Sequence, residues 1–157
     1  MENAWRAWEL RHCLEVRNNS FRCLLGAASF VKPKVLIVDD EDFFRRVVAA
    51  NFEREGFSVV QADNGVDGIR LARQEFPDLI VLDLVMPGLL GFEVCLALRQ
   101  DERFEKTAIV IMSAKNYKPD IDKAKDLGAD EYVVKPVEFD ELMKIARLHM
   151  SKRTNAT

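Results

Sequence analysis

From residue 35 onward, short and mainly apolar runs alternate with longer amphipathic stretches. The runs Val35–Val38, Phe57–Gln61, Leu79–Leu82, Ala108–Met112 and Tyr132–Val134 are of strand length. Such runs suit strands covered on both faces. Between them lie amphipathic stretches near Phe43–Arg54, Gly65–Gln74, Gly91–Arg99, Asp120–Leu127 and Phe139–Met150. In the first, Phe44, Val47, Val48 and Phe52 recur at helical spacing. Glu55-Gly56 ends that helix, and Asp126-Leu127-Gly128 ends the fourth in the same glycine manner. Five strand-then-helix units predict a parallel sheet with right-handed crossovers and helices on both faces.

Composition narrows the class without changing this architecture. The chain has 157 residues, 48% of them apolar and 31% charged, which describes one globular domain with modest extensions. The net charge is −3. Residues 1–30 carry four arginines against three glutamates, so +1, and the remainder is −4. Neither part has the basic stripe of a nucleic-acid binder, so no direct nucleic-acid partner is expected. No stretch is long and apolar enough for a membrane span, and Cys23–Val31 is too short and too poorly flanked for an export signal, so a cytoplasmic protein is expected. Cys13, Cys23 and Cys95 have no metal-ligand spacing and read as reduced thiols; His12 and His149 read as structural.

Lys32-Pro33-Lys34 marks a break. It separates an N-terminal extension, 1–32, from a domain at 33–150 followed by a tail at 151–157. The extension reads as weakly ordered or as a loosely docked helix; the alternative is a partner-docking helix anchored by Trp5 and Trp8. The tail is too short for an output domain. The chain is thus either a regulator acting through protein contacts alone or a piece of a longer one.

Candidate chemistry gathers where the strands end. Val35–Val38 runs into Asp39-Asp40-Glu41-Asp42, Leu79–Leu82 into Asp83, Ile109-Val110-Ile111-Met112 into Ser113, and Tyr132-Val133-Val134 into Lys135-Pro136. Open α/β sheets bind ligands at the carboxyl ends of their strands. Carboxylates about 4 Å apart repel by roughly 4 kcal/mol at an effective dielectric of 20, so gathering them calls for a cation. Oxygen-only ligands favour magnesium, which shares phosphate oxygens readily. Glu41 and Asp42 read instead as the acidic start of a helix. Asp83 does not, because Met86-Pro87-Gly88 opens a loop after it. The residue before a proline is held extended, which aims Lys135 outward from its strand. Ser113 can donate to a phosphoryl oxygen, and small Ala114 leaves room beside it. The general rate of cis X–Pro bonds, about 5–6%, gives no reason to expect one at Pro136.

The ordered set Val38-Asp39-Asp40-Glu41, Leu82-Asp83-Leu84-Val85-Met86-Pro87 with Gly91, Met112-Ser113-Ala114, Gly128-Ala129-Asp130 with Tyr132, and Lys135-Pro136 closely resembles the receiver domain of bacterial two-component response regulators, of the single-domain chemotaxis type. It covers residues 33–150, and Ser113 and Lys135 stand 30 and 52 positions past Asp83. The resemblance implies a flavodoxin-like doubly wound sheet of order 2-1-3-4-5. It implies a phosphoacceptor at Asp83, magnesium bound by Asp40 and Asp83 with Asp39 through water and the Val85 carbonyl, and phosphoryl contacts from Lys135 and Ser113. Tyr132 would be an aromatic switch that turns inward when Ser113 moves. Val85 and Lys115 would tune dephosphorylation, since the chemotaxis-type pattern has a polar residue and an acid there. The phosphoryl donor would be a sensor histidine kinase or phosphotransfer protein. The downstream protein target would bind the surface from about Tyr117 to Met150, where a homodimer is a further option. Such a domain is no enzyme beyond catalysing its own phosphorylation and slow dephosphorylation.

Rival readings fit less well. A haloacid dehalogenase-type phosphatase needs a second aspartate where Val85 stands, and a flavin carrier needs a phosphate-cradling loop where four acids follow the first strand. No Gly-rich P-loop occurs. The alternative from another class is a receiver-like interaction module that works without phosphorylation.

Overall fold

The computed structural model describes residues 32–155. The expectations for the N-terminal extension, and for His12, Cys13 and Cys23, lie outside the described residues. Five parallel strands form one sheet: β1 (Lys34–Val38), β2 (Ser58–Ala62), β3 (Leu79–Asp83), β4 (Ala108–Ser113) and β5 (Glu131–Val134), in the order β2-β1-β3-β4-β5. The helices are α1 (Asp42–Arg54), α2 (Gly65–Glu75), α3 (Gly91–Arg99), α4 (Lys118–Asp126) and α5 (Phe139–Asn155), with a 3₁₀ turn at Glu102–Phe104. This is the flavodoxin-like architecture expected. Every residue of β3 and β4 is buried, whereas the edge strands β2 and β5 are partly exposed.

The apolar runs give the sheet its two covered faces. On one face, Phe52 of α1 meets Phe57 before β2 and Phe139 of α5 edge-on, with ring centroids 5.1 and 5.5 Å away. On the other, Cys95 of α3 donates its thiol to the Leu127 carbonyl beyond α4 at 3.7 Å, and Lys123 of α4 lies over the Phe92 ring. Burial pushes the Cys95 thiol up to about 11, so it stays protonated, as its apolar setting requires. His149 is buried beside Glu131, 3.3 Å away, and belongs to the α5–β5 packing. No helix among the described residues is long and apolar enough to cross a membrane.

Boundaries differ from the periodicity by a residue or two at several strand and helix ends, β2 for instance running Ser58–Ala62 rather than Phe57–Gln61, and some of the shifts have a clear cause. β3 and β4 each run one residue further, into Asp83 and Ser113, because ladder pairing continues through Asp83↔Met112 and Ser113↔Val134. α4 starts at Lys118 rather than Asp120, since Pro119 is tolerated in a first turn, where its missing N–H has no partner to lose. α5 continues past Met150 to Asn155. Arg153 accounts for the extra turn: it donates to Asp130 Oδ1 at 2.8 Å and to the Glu105 carbonyl at 3.0 Å. Asp130 Oδ2 in turn accepts from Ile109 N and Arg99 Nη2, and Arg99 also binds the carbonyls of Gly128, Phe104 and Thr107. One partly buried carboxylate thereby clamps α3, β4 and α5 at the end of the sheet opposite Asp83.

The chain returns tightly after β3. Gly91 N donates to the Leu84 carbonyl at 3.0 Å, and a Cβ on Gly91 would collide with the Asp83 carbonyl oxygen and come within 2.9 Å of Leu84 Cα. Both neighbours are backbone and cannot rotate aside. Gly91→Ala is therefore expected to cost about 2–3 kcal/mol in urea unfolding, by overpacking against fixed atoms. A loss below about 0.5 kcal/mol would show that the β3–α3 loop is free to shift.

Candidate functional site

The strand order reverses between β1 and β3, and this is where a crevice opens in such sheets. Val38 pairs with Leu82, so the next residues, Asp39 and Asp83, emerge side by side. Asp39 is held at every polar group: its N–H donates to the Ala62 carbonyl, its carbonyl accepts from Arg45 Nη1 at 2.7 Å, and its Oδ1 accepts from Glu41 N at 2.8 Å. Asp83 Oδ2 accepts from Val85 N at 2.7 Å. The two carboxylates are only 3% and 7% exposed.

Lys135 leaves the end of β5, two strand spacings (about 10 Å) from β3. Its N–H donates to the Ser113 carbonyl at 2.8 Å, and the Lys135–Pro136 bond is cis. The long side chain crosses the end of β4 and donates from Nζ to Asp39 Oδ2 at 2.7 Å and Asp83 Oδ1 at 2.8 Å. One ammonium thus serves two buried carboxylates. Both partners shift the same way, for different reasons. Burial pushes the Asp83 carboxyl above its ordinary value, and the charge of Asp39 adds to this, against the pull of Lys135 and the Val85 N–H. Burial works against the Lys135 charge, but its bonds to Asp39 and Asp83 outweigh it and hold the ammonium above the ordinary lysine value.

The other sequence candidates divide into those brought to this crevice and those placed at its rim. Asp40 is exposed at the end of β1. Among the described residues no three acidic, histidine or cysteine side chains converge into a closed metal cluster. Ser113 is buried at the end of β4, and its Oγ accepts from Lys115 N at 3.2 Å. Tyr132 is already turned inward: the ring is packed in the core, and its hydroxyl donates to the Lys115 carbonyl at 2.9 Å. The Lys115 backbone therefore joins Ser113 to Tyr132. The Lys115 side chain is exposed, its ammonium 4.0 Å from Asp120 of α4. Val85 is half exposed at the rim.

Two neighbours of the acidic run were missed by sequence reasoning. Arg45 ties α1 to the Asp39 carbonyl and also pairs with Asp42 at 2.7 Å. Phe44, read only as one position of a helical apolar face, lies against Lys135. An arginine three residues from a helix's first acid carries no signal of its own, and an aromatic at helical spacing reads as core.

A doubly wound sheet with acids at its switch point and a lysine from the last strand defines a narrow class of α/β domain. The family profile described as the response regulator receiver domain matches residues 35–147. The chain belongs to that family. Protein PilH of Pseudomonas aeruginosa is 39% identical over 111 residues, which cover 71% of this chain and 92% of PilH. The transcriptional regulatory protein AfsQ1 of Streptomyces coelicolor is 41% identical over 106 residues, 68% of this chain but only 46% of AfsQ1. The chain spans about half the length of AfsQ1 and of RpaA from Synechocystis. A solved structure of the Vibrio cholerae chemotaxis protein CheY4 superposes with a TM-score of 0.72 at 28% identity, covering 75% of this chain and 98% of that one.

A carboxyl whose pKa is raised by folding binds its proton more tightly in the native than in the unfolded chain. Ionised Asp83 therefore penalises the native state at neutral pH, and the penalty fades as pH falls through its native value. In EDTA, Asp83→Asn is expected to raise the urea midpoint at pH 7, with the gain over wild type shrinking as the buffer is acidified into the carboxylate range. A gain that is absent at pH 7, or that grows on acidification, contradicts this charge balance.

Proposed function

We propose that this receiver domain accepts a phosphoryl group on Asp83 and uses it to switch a protein-binding surface. The observation that carries this reading is the Lys135 ammonium lying 2.8 Å from Asp83 Oδ1 at the strand-order reversal. A cation there can neutralise a phosphoryl oxygen on the same carboxylate without moving its backbone. The donor is a phosphohistidine on a sensor kinase or phosphotransfer protein. An Asp83 oxygen attacks phosphorus; the new O–P bond forms as the N–P bond breaks, and its electron pair returns to the imidazole nitrogen. Hydrogen bonds to Lys135 and to Val85 N fix the carboxylate, and each oxygen keeps a further lone pair for attack. The chain itself supplies mainly positioning.

The donor set fits magnesium: carboxylates of Asp39, Asp40 and Asp83 and the Val85 carbonyl are all hard oxygens, too few to close a cage and so suited to a metal that keeps waters. Asp40 and Asp83 with the Val85 carbonyl would hold it, Asp39 acting through water. When bound it supplies charge neutralisation and in-line orientation of the phosphoryl group.

Ser113 and Lys135 follow the new charge. Because the Lys115 backbone links Ser113 to Tyr132, movement of Ser113 pulls on the β4–α4 loop. The responding surface is α4, β5 and α5, where Tyr117 and Leu148 are exposed. A downstream protein or a second copy of the chain would read it.

A small phosphodonor with magnesium should add one phosphoryl group to the wild type by intact mass and none to Asp83→Asn. Equal labelling of both, or of neither, would defeat the assignment. The phosphorylated state should outlive that of chemotaxis receivers, since apolar Val85 cannot orient an attacking water and the Lys115 ammonium has no proton-accepting role. Loss of the phosphoryl group within seconds from purified protein would contradict this.

A further inference from the structure

Lys135 has a third neighbour besides its two carboxylates. The Phe44 ring lies with its centroid 4.1 Å from Nζ, well inside the roughly 6 Å reach of a cation–π contact. An ammonium has three N–H groups, and Asp39 and Asp83 take two of them. Phe44 sits in the first turn of α1, half-buried, unlike Val48, Ala49 and Phe52, the residues that helix buries. Its neighbour Phe43 faces solvent. Burial alone therefore does not require an aromatic ring at 44.

We propose that Phe44 is a positioning residue for phosphoryl acceptance: its ring face holds the Lys135 ammonium at the carboxylate pair and stays with it as it turns from Asp83 toward a phosphoryl oxygen. The inference rests on the phosphoacceptor reading of Asp83. Two features of a ring suit this task. It attracts a cation through its quadrupole while adding no formal charge, and the crevice already has Asp39, Asp40 and Asp83 against one lysine. A third acid on Lys135 would repel the incoming phosphoryl group. The attraction is also spread over the ring face, whereas a hydrogen bond has one direction, so the ammonium can swing without losing this contact.

The test replaces Phe44 with mono-, di- and trifluorinated phenylalanine, which weaken the ring face stepwise at nearly constant shape, and with Tyr and Leu. Uptake from acetyl phosphate with magnesium is followed by intact mass, at matched urea midpoints. Phe44→Tyr should label like wild type. Phe44→Leu should label about threefold to tenfold more slowly, the range a partly buried cation–π contact implies. The fluorinated series should fall in order, and in a Lys135→Met background it should be flat. Independently of phosphate, the Lys135 ε-methylene protons should show a ring-current upfield shift that Phe44→Leu abolishes. A flat series with Lys135 present, the same slope without it, or no ring-current shift overturns the proposal while leaving Asp83 as acceptor. Failure of the wild type to take up any phosphoryl group overturns the reading of Asp83, and this proposal with it.

Discussion

The structure turns on one ammonium shared by two buried carboxylates. Asp39 and Asp83 are neighbours because β1 and β3 are neighbours, and no rotamer choice separates them far. Left alone they would repel and demand protons. Lys135, arriving from the edge strand β5 across the end of β4, makes the crevice tenable by binding both at once. The balance remains one negative charge in excess: burial first and then the Asp39 charge raise the Asp83 pKa, and the two carboxylates hold Lys135 protonated. A site in that condition favours whatever brings further positive charge, and it holds in place the carboxylate oxygen that we propose as the nucleophile.

The rest of the fold divides into a part that stays fixed and a part placed to respond. At the end of the sheet opposite the crevice, Asp130 binds Arg99, Arg153 and the Ile109 N–H in a partly buried network. Such a clamp leaves little freedom to the bases of β4 and β5. At the crevice end, the connection from Ser113 to Tyr132 runs through a single residue's backbone, and the loop carrying it is exposed at Lys115. The β4–α4 loop is thus the exposed segment that joins the crevice, through Ser113, to Tyr132. Local electrostatics can bias a surface in this way without disturbing the core.

Much of this was legible in the chain. Apolar runs marked all five strand–helix units, glycine stops marked the ends of two of the helices, and Asp39, Asp83, Ser113 and Lys135 stood out because each ends a run. What periodicity could not show was which acid does what. Asp39 and Asp40 are adjacent and chemically equivalent in sequence; only the alternation of side chains at a strand end buries one and exposes the other. Phe44 was hidden for a related reason, since an aromatic at helical spacing fits a core face as well as a lysine's cap. The last turn of α5 was missed because its stabiliser, Arg153 on Asp130, is a tertiary contact between residues 23 apart.

The central claim, that Lys135 neutralises Asp39 and Asp83 together, is tested most directly by a double-mutant cycle on stability with Lys135→Met, Asp83→Asn and the pair. Removing one member of a buried ion pair strands the other charge, so Lys135→Met alone should cost about 2–4 kcal/mol at neutral pH. In the Asp83→Asn background, with one carboxylate already neutral, the same change should cost markedly less. Strictly additive effects would mean that the ammonium does not stabilise Asp83, and the account would be wrong at its root.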